Sequence, residues 1–254
     1  MTNTKITGHR GARNLWPENS LTGFRNVLAL GVDAIEFDVH LTNVGELVVI
    51  HDATLERTTD KAGLVRHLTP QSRTETHLEG TADTVPTLAE VLAVLVDAGE
   101  RQLHVEIKSD EEKQPYPGIT EKVVAEIERF GLAHRCHLTS FDVSVLEECR
   151  RVAPRVDRLV SVNAEWAAKQ GGLATFINSV NGLVDIVAIQ HELMAAEWDL
   201  ITSKLPLERL CVWTLNEEVL IGPWLERGIG HLTSDSPDLA LSLRGKIQSQ
   251  SEPA

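Results

Sequence analysis

Carboxylates alternate with apolar residues in two stretches of the chain. Glu36 and Asp38 occur in AIEFDVH, and Glu106 occurs in LHVEIK. Because side chains of a strand point alternately to its two faces, Glu36 and Asp38 share a face, and Glu106 takes an equivalent position in a similar strand. Carboxylates held close together raise one another's pKa unless a cation lies between them. The pattern predicts a divalent-metal site, with oxygen ligands that suit Mg²⁺ or Ca²⁺ better than zinc.

A simpler interpretation exists for each of these charges. A single acid in a strand is usually solvated, but the opposite face of AIEFDVH is apolar, which favours burial on both sides. Lys108 follows Glu106 by two residues and shares its face. It would either neutralise the acidic cluster and hold an anionic substrate, or form a structural ion pair with Glu36 or Asp38.

Two histidines close predicted strands. His9 ends the first strand and precedes Arg10, whereas His51 ends the short apolar run LVVIHD. Imidazoles transfer protons near neutral pH, and a guanidinium can present a planar fork to a phosphate. We expect structural or exposed positions for His67, His77, His104, His134, His137 and His191.

The elements that must position these residues are short apolar strands separated by helical patterns, which is typical of parallel βα units. This alternation predicts an α/β fold, a (βα)₈ TIM barrel forming a single domain over residues 1–254, with residues 52–86 as an insertion or long loop. Functional residues of such barrels lie at the carboxyl ends of the strands. The predicted strands are Lys5 to His9, Ala34 to His40, Gln102 to Lys108, Arg135 to Thr139, Arg158 to Val162, Asp185 to Ile189, Leu210 to Thr214 and His231 to Ser234.

Local signals mark several element ends. Asn19 is expected to cap the first helix, Gly31 to stop it, and Thr87 to begin the next long helix. Residues 248–254 are expected to form a frayed polar tail.

Composition excludes several classes of protein. The 254 residues contain 24 Lys and Arg against 37 Asp and Glu, a formal net charge of −13, so nucleic acid is not expected as a partner. Three cysteines without CxxC spacing argue against a disulfide framework and favour a reducing compartment. The chain contains no apolar leader or membrane-length segment, so we expect a cytoplasmic protein without membrane insertion. The oligomeric state is left open, with a homo-oligomer as one possibility.

Eight motifs in order resemble the set that characterises the glycerophosphodiester phosphodiesterase family, and they span nearly the whole chain. Each motif alone has little specificity, but their order and their positions in the predicted barrel make the resemblance specific. The motifs are HRGARNLWPENS from His9, EFD from Glu36, VIHD from Val49, VPTLAEVL from Val85, VEIK from Val105, SFD from Ser140, VWTLN from Val212 and SDSP from Ser234.

This resemblance implies a barrel that hydrolyses a glycerophosphodiester, a small-molecule substrate, to glycerol 3-phosphate and an alcohol with one divalent cation. It also implies roles for the matching residues. His9 and His51 would be the general acid and base, and Glu36, Asp38 and Glu106 the metal ligands. The remaining assignments are Arg10 and Lys108 for phosphate binding, Phe141 and Trp213 as apolar walls for the substrate, and Glu18 and Asn19 as supports of the first loop.

The chain departs from the family pattern at a few positions, and two other functions stay open. The usual Asp-Gly turn is Val44-Gly45 here, His231 enters the last strand, and residues 58–84 follow the family loosely. One alternative is a phospholipase D-like lyase on the same scaffold that stops at a cyclic phosphate. The other is an inactive barrel that binds a phosphate ligand. The sequence does not decide the head group, the metal, which histidine is the base, or whether water or a substrate hydroxyl attacks phosphorus.

Overall fold

The computed structural model describes residues 4–250 as a closed parallel barrel. Eight parallel strands form the wall, which closes through pairing of the first strand with the second; one further strand, β3, runs antiparallel to β2 outside it. The predicted (βα)₈ barrel is therefore confirmed, and no end of its eight strands is shifted by more than one residue. The strands are β1 (Lys5–Gly8), β2 (Ala34–Leu41), β3 (Leu47–Val49), β4 (Gln102–Ile107), β5 (Cys136–Ser140), β6 (Asp157–Val162), β7 (Ile186–Gln190), β8 (Leu210–Trp213) and β9 (His231–Ser234).

Helices cover the outer face of the barrel between successive strands. Within the described residues, no helix is long and apolar enough to cross a membrane. The helices are α1 (Leu21–Leu30), α2 (Pro70–Thr74), α3 (Leu88–Leu95), α4 (Ile119–Arg129), α5 (Val143–Val152), α6 (Ala164–Lys169), α7 (Leu173–Val180), α8 (His191–Ala196), α9 (Trp198–Lys204), α10 (Glu218–Glu226) and α11 (Pro237–Gln250), with 3-10 turns at His9–Gly11, Val65–His67, Ala133–Arg135 and Leu207–Arg209.

The helix ends confirm two local predictions and correct two others. Gly31 ends α1 in the left-handed conformation, and Thr87 begins α3 in a reciprocal capping box with Glu90. The prediction that Asn19 caps α1 is wrong: Ser20 is the cap and accepts from the Gly23 amide, which leaves the Asn19 amide free to reach the barrel. The predicted polar tail is wrong for residues 248–250, which continue α11, whereas residues 251–254 lie outside the described part.

The segment 52–86 packs around a small core of its own. An apolar cluster joins β3 to this segment, and Arg73 is buried beneath it, donating to the Val85 carbonyl and pairing with Glu46 and Glu90. The segment thus packs against the β2–β3 end of the barrel at the same edge where His51 is found. The residues of this apolar cluster are Val48, Ile50, Leu55, Val65, Leu68, Leu78 and Val85.

Three buried histidines lie inside the barrel. The ring centroid of His104 lies 5.1 Å from that of His137 and 6.5 Å from that of His231. Burial lowers the pKa of all three imidazoles, to about 4 for His231. The three rings occupy the barrel interior, and burial disfavours their charged forms.

This burial predicts acid sensitivity of the fold. A folded-state pKa below the unfolded value of 6.5 means that the unfolded chain binds more protons, so stability is complete above about pH 6.5 and falls as pH drops towards 4. The shift of His231 corresponds to about 3 kcal/mol. Urea unfolding between pH 7.5 and 4.5 should show this loss, and His231→Gln should reduce the slope. An unchanged slope would contradict the prediction, and His67→Gln, at an exposed site, is the control.

Candidate active site

The three predicted carboxylates meet at the carboxyl end of β2 and β4. Asp38 and Glu106 are register partners across the two strands, and one oxygen each from Glu36, Asp38 and Glu106 lies within 4.8 Å of the others. Burial raises the pKa of Glu36 well above its ordinary value, and the charges of Asp38 and Glu106 raise it further. The cluster is therefore short of positive charge at Glu36.

Cationic groups gather on the Asp38 side of this cluster. Lys108 Nζ lies 3.3 Å from Asp38 and 2.7 Å from Glu106, and Arg10 Nε lies 3.4 Å from Asp38. Asn19 donates its amide to Asp38 at 2.9 Å. Burial acts to raise the pKa of Asp38, but Lys108, His51 and Arg10 hold it well below its usual range. Lys108 therefore forms the ion pair with Asp38 that the sequence offered as one of two interpretations, and it also pairs with Glu106 of the acidic cluster.

The cluster fits a divalent cation by a structural criterion. Glu36 Oε1 is buried and has no hydrogen-bond partner among residues 4–250, whereas buried Asp38 Oδ1 has only the ion pair with Lys108 Nζ at 3.3 Å. Buried polar atoms without partners are costly, and hard carboxylate oxygens are the ligands preferred by Mg²⁺ and Ca²⁺. Glu36, Asp38 and Glu106 therefore suit a cation whose remaining ligands come from water or substrate.

The sequence predicted that His9 ends β1, but the strand ends at Gly8 and His9 begins the tight turn that follows. Its Nδ1 lies 2.6 Å from Asp235, and its Nε2 lies 3.7 Å from Glu36. Burial lowers the pKa of His9, whereas the hydrogen bond to Asp235 opposes that change. Burial raises the pKa of Asp235, but His9 and Asn216 bring it down to about 2. His9 thus presents Nε2 towards the carboxylates.

His51 forms a second histidine and aspartate pair. Its Nδ1 lies 2.6 Å from Asp52, which follows it in the chain. The backbone carbonyl of His51 accepts from His40 Nε2 at 3.1 Å, and His40 Nδ1 lies 2.9 Å from the Tyr116 hydroxyl. Burial lowers the pKa of His40 to about 4. His40, which shares the sequence pattern of the acids, therefore holds the backbone of His51 and is not part of the acidic cluster.

Two cavities meet at His51, Glu106 and Phe141. The barrel mouth encloses about 280 Å³ and also includes His9, Arg10 and Trp213; an adjoining cleft of about 420 Å³ extends from His51 towards α6. The Phe141 and Trp213 rings contact edge to face with centroids 5.7 Å apart. An apolar wall therefore adjoins the acidic cluster, and space is available on both sides of it.

Glu18 lies between the two histidine pairs. It accepts from Arg10 at 3.1 Å and from Arg57 at 2.8 and 3.0 Å, and Arg13 lies 3.7 Å away. Burial acts to raise the pKa of Glu18, but Arg57 and Arg10 lower it overall. The structure thus brings all eleven predicted site residues to one end of the barrel.

Sequence reasoning missed several residues of this site. Asp235 was present in the SDSP motif and Asp52 in VIHD, but neither received a role. The position of Asp52 next to the strand-terminal His51 was an available signal, whereas Asp235 is far from His9 in the sequence. Asn216 donates to Asp235 at 2.8 Å, and Arg13 lies 2.8 Å from the same carboxylate. Arg57 lies in LERTT, directly after the VIHD motif and within the family resemblance, but it received no role.

Comparison with known proteins identifies the family. The model of the glycerophosphoryl diester phosphodiesterase family matches residues 9–239. The chain belongs to this family. It is 30% identical to a glycerophosphodiester phosphodiesterase of Bacillus altitudinis over 259 residues, which is 96% of this chain and 100% of the relative. The family resemblance is confirmed, as is the prediction that the chain is an enzyme of the phosphodiesterase class.

Solved structures of the family have the same fold. A crystal structure of a candidate glycerophosphoryl diester phosphodiesterase from Agrobacterium tumefaciens superposes with a TM-score of 0.88 at 25% identity, covering 97% of this chain and 99% of the other. An Oleispira antarctica phosphodiesterase in complex with the product sn-glycerol-3-phosphate superposes with a TM-score of 0.77 at 22% identity, covering 94% and 96%. The barrel described above is thus the family fold.

Proposed function

We propose that this phosphodiesterase hydrolyses glycerophosphodiesters to glycerol 3-phosphate and an alcohol, with one divalent cation, Mg²⁺ or Ca²⁺. The observation that carries the proposal is the cluster of Glu36, Asp38 and Glu106 between two histidine and aspartate pairs. The activity named for the Bacillus altitudinis relative and the product in the Oleispira antarctica structure support it.

The bound cation would supply Lewis-acid stabilisation of the negative charge that develops on the phosphoryl oxygens. Arg10 and Lys108 would add fixed positive charge at the same place and orient the phosphate. Phe141 and Trp213 would pack against the apolar part of the substrate and exclude water from that side. Asn19, which donates to Asp38, and Glu18, which anchors Arg10, would hold this arrangement in place.

His9 and His51 would transfer protons through their Nε2 atoms. Because Asp235 and Asp52 each occupy an Nδ1 atom, each ring has its second nitrogen available to the substrate. One imidazole would remove a proton from the attacking water or substrate hydroxyl, and the other would protonate the leaving oxygen.

The same proposal includes the organisation of the chain. The barrel would act as one domain, with residues 52–86 as an insertion that supplies part of the rim beside His51. The three cysteines are free, buried thiols, and this supports a reducing, cytoplasmic setting.

Phosphorus NMR with glycerophosphocholine tests the reaction. With Mg²⁺ or Ca²⁺ added, we expect the diester signal to be replaced by a phosphomonoester signal, and EDTA should stop the conversion. A lasting cyclic diester signal would favour the lyase instead. Ligand binding without conversion of any of several glycerophosphodiesters would favour the inactive binding barrel.

A further inference from the structure

Arg57 connects the segment 52–86 to the loop after β1. Its NH1 and NH2 groups donate to the two oxygens of Glu18 at 3.0 and 2.8 Å, while Nε and NH2 donate to Asp52 at 2.5 and 3.1 Å. One guanidinium therefore holds two carboxylates, each in a paired arrangement. Such forked contacts fix orientation as well as distance.

The second carboxylate of this arrangement contacts a proposed proton-transfer residue. Asp52 Oδ1 lies 2.6 Å from His51 Nδ1, and the same oxygen accepts from Arg57 NH2. The Asp52 side chain is only partly buried, at 26% exposure, and no other side chain among residues 4–250 forms a hydrogen bond with it. Arg57 is therefore the only described side chain, apart from His51 itself, that anchors Asp52.

The first carboxylate, Glu18, is connected through Arg13 and Asp235 to His9. Glu18, whose side chain is 12% exposed, also contacts Arg10 and, at 3.7 Å, Arg13. Arg13 Nε lies 2.8 Å from Asp235, the partner of His9. The two histidine and aspartate pairs are thus linked through alternating guanidinium and carboxylate groups that meet at Glu18.

We propose that Arg57 is a positioning residue, which fixes the tautomer and ring orientation of His51 by clamping Asp52 to Glu18. The proposal rests on the function proposed above. An aspartate that orients a histidine through Nδ1 keeps the proton-transfer nitrogen pointed at the substrate. Without the fork of Arg57, Asp52 can turn to solvent, and the His51 ring loses its partner. Arg57 itself does not line either of the two cavities at the site.

Substitution of Arg57 tests the clamp. Arg57→Ala should lower kcat by about tenfold to a hundredfold with little change in KM, because partners behind a reacting side chain have effects of that size when removed. Arg57→Lys keeps the charge and loses the forked contacts, so its kcat should lie between that of the parent protein and that of Arg57→Ala. The matched control is Arg66→Ala, which removes another arginine and carboxylate pair, with Glu111, from the same segment and should leave kcat unchanged.

A double variant separates positioning from general stabilisation. If Arg57 acts through Asp52, kcat of Asp52→Asn with Arg57→Ala should be within about twofold of Asp52→Asn alone. Losses that multiply would overturn the proposal, as would an equal loss in Arg66→Ala. Thermal unfolding of each variant identifies a loss caused by a disturbed fold.

Nitrogen NMR of His51 gives a readout that does not need turnover. In the parent protein at pH 8, the proton should reside on Nδ1, and Arg57→Ala should shift the ring towards a mixture of tautomers. If the parent protein shows no hydrolysis, the proposed function fails, and the NMR result still decides the clamp. An unchanged His51 spectrum in Arg57→Ala would overturn the clamp even when hydrolysis is confirmed.

Discussion

Replacing His51 by alanine should lower kcat for a glycerophosphodiester by about a hundredfold or more, and His9→Ala should do the same. Each imidazole is held at Nδ1 by an aspartate 2.6 Å away, so that one proton-transfer atom remains in each ring. Alanine removes that atom and leaves the metal ligands in place. Steady-state kinetics with saturating Mg²⁺ or Ca²⁺ measures the change, and full activity in both variants would contradict the acid and base assignment.

A change of leaving group should show which histidine is the acid. An alkyl alcohol leaves poorly unless its oxygen is protonated, whereas p-nitrophenolate leaves without a proton. The variant that lacks the acid should therefore recover much of its activity on a p-nitrophenyl diester, and the variant that lacks the base should not. His77→Ala, in the segment 52–86, is the control, because His77 lies outside both cavities at the site.

The barrel could be predicted because its strands are buried on both faces. In such strands even a few charged residues stand out against Val, Leu and Ile, so Glu36, Asp38 and Glu106 were visible as exceptions. The ends of the barrel strands were displaced by at most one residue, because hydrogen bonding, and not hydrophobicity, ends a strand. His9 shows this, since the chain turns at Gly8 and the histidine begins a 3-10 turn.

Side-chain partners could not be predicted, because they depend on contacts distant in sequence. Asp235 is separated from His9 by 226 residues, and Arg57 from Glu18 by 39. Asn19 is of a residue type that often caps helices, but its backbone is left-handed, with φ of 56°. Its side-chain amide donates to Asp38, and Ser20 caps the helix instead. Local propensity was overridden there by a buried carboxylate that needed a donor.

A substitution at the acidic cluster should affect activity and stability in opposite directions. Glu36→Gln keeps the shape of the side chain and an oxygen that can accept from the Arg10 amide, now 3.0 Å away, but removes a buried negative charge. Burial and the neighbouring acids already raise the pKa of Glu36, so the variant without metal should unfold at the same temperature as the parent or higher. Loss of a metal ligand should lower kcat by about a thousandfold.

Metal titration followed by thermal unfolding gives the decisive comparison. A ligand that binds only the folded state stabilises it by about 2.7 kcal/mol at a hundred times its Kd, so Mg²⁺ or Ca²⁺ should raise the Tm of the parent protein. Glu36→Gln should lose most of that rise, whereas Glu112→Gln, at an exposed site outside the cluster, should keep it. A full metal-dependent rise in Glu36→Gln would remove Glu36 from the ligand set. If Glu36→Gln without metal unfolds at a lower Tm than the parent protein, the Glu36 carboxylate stabilises the fold. That result would contradict the expectation that its buried charge destabilises the metal-free protein.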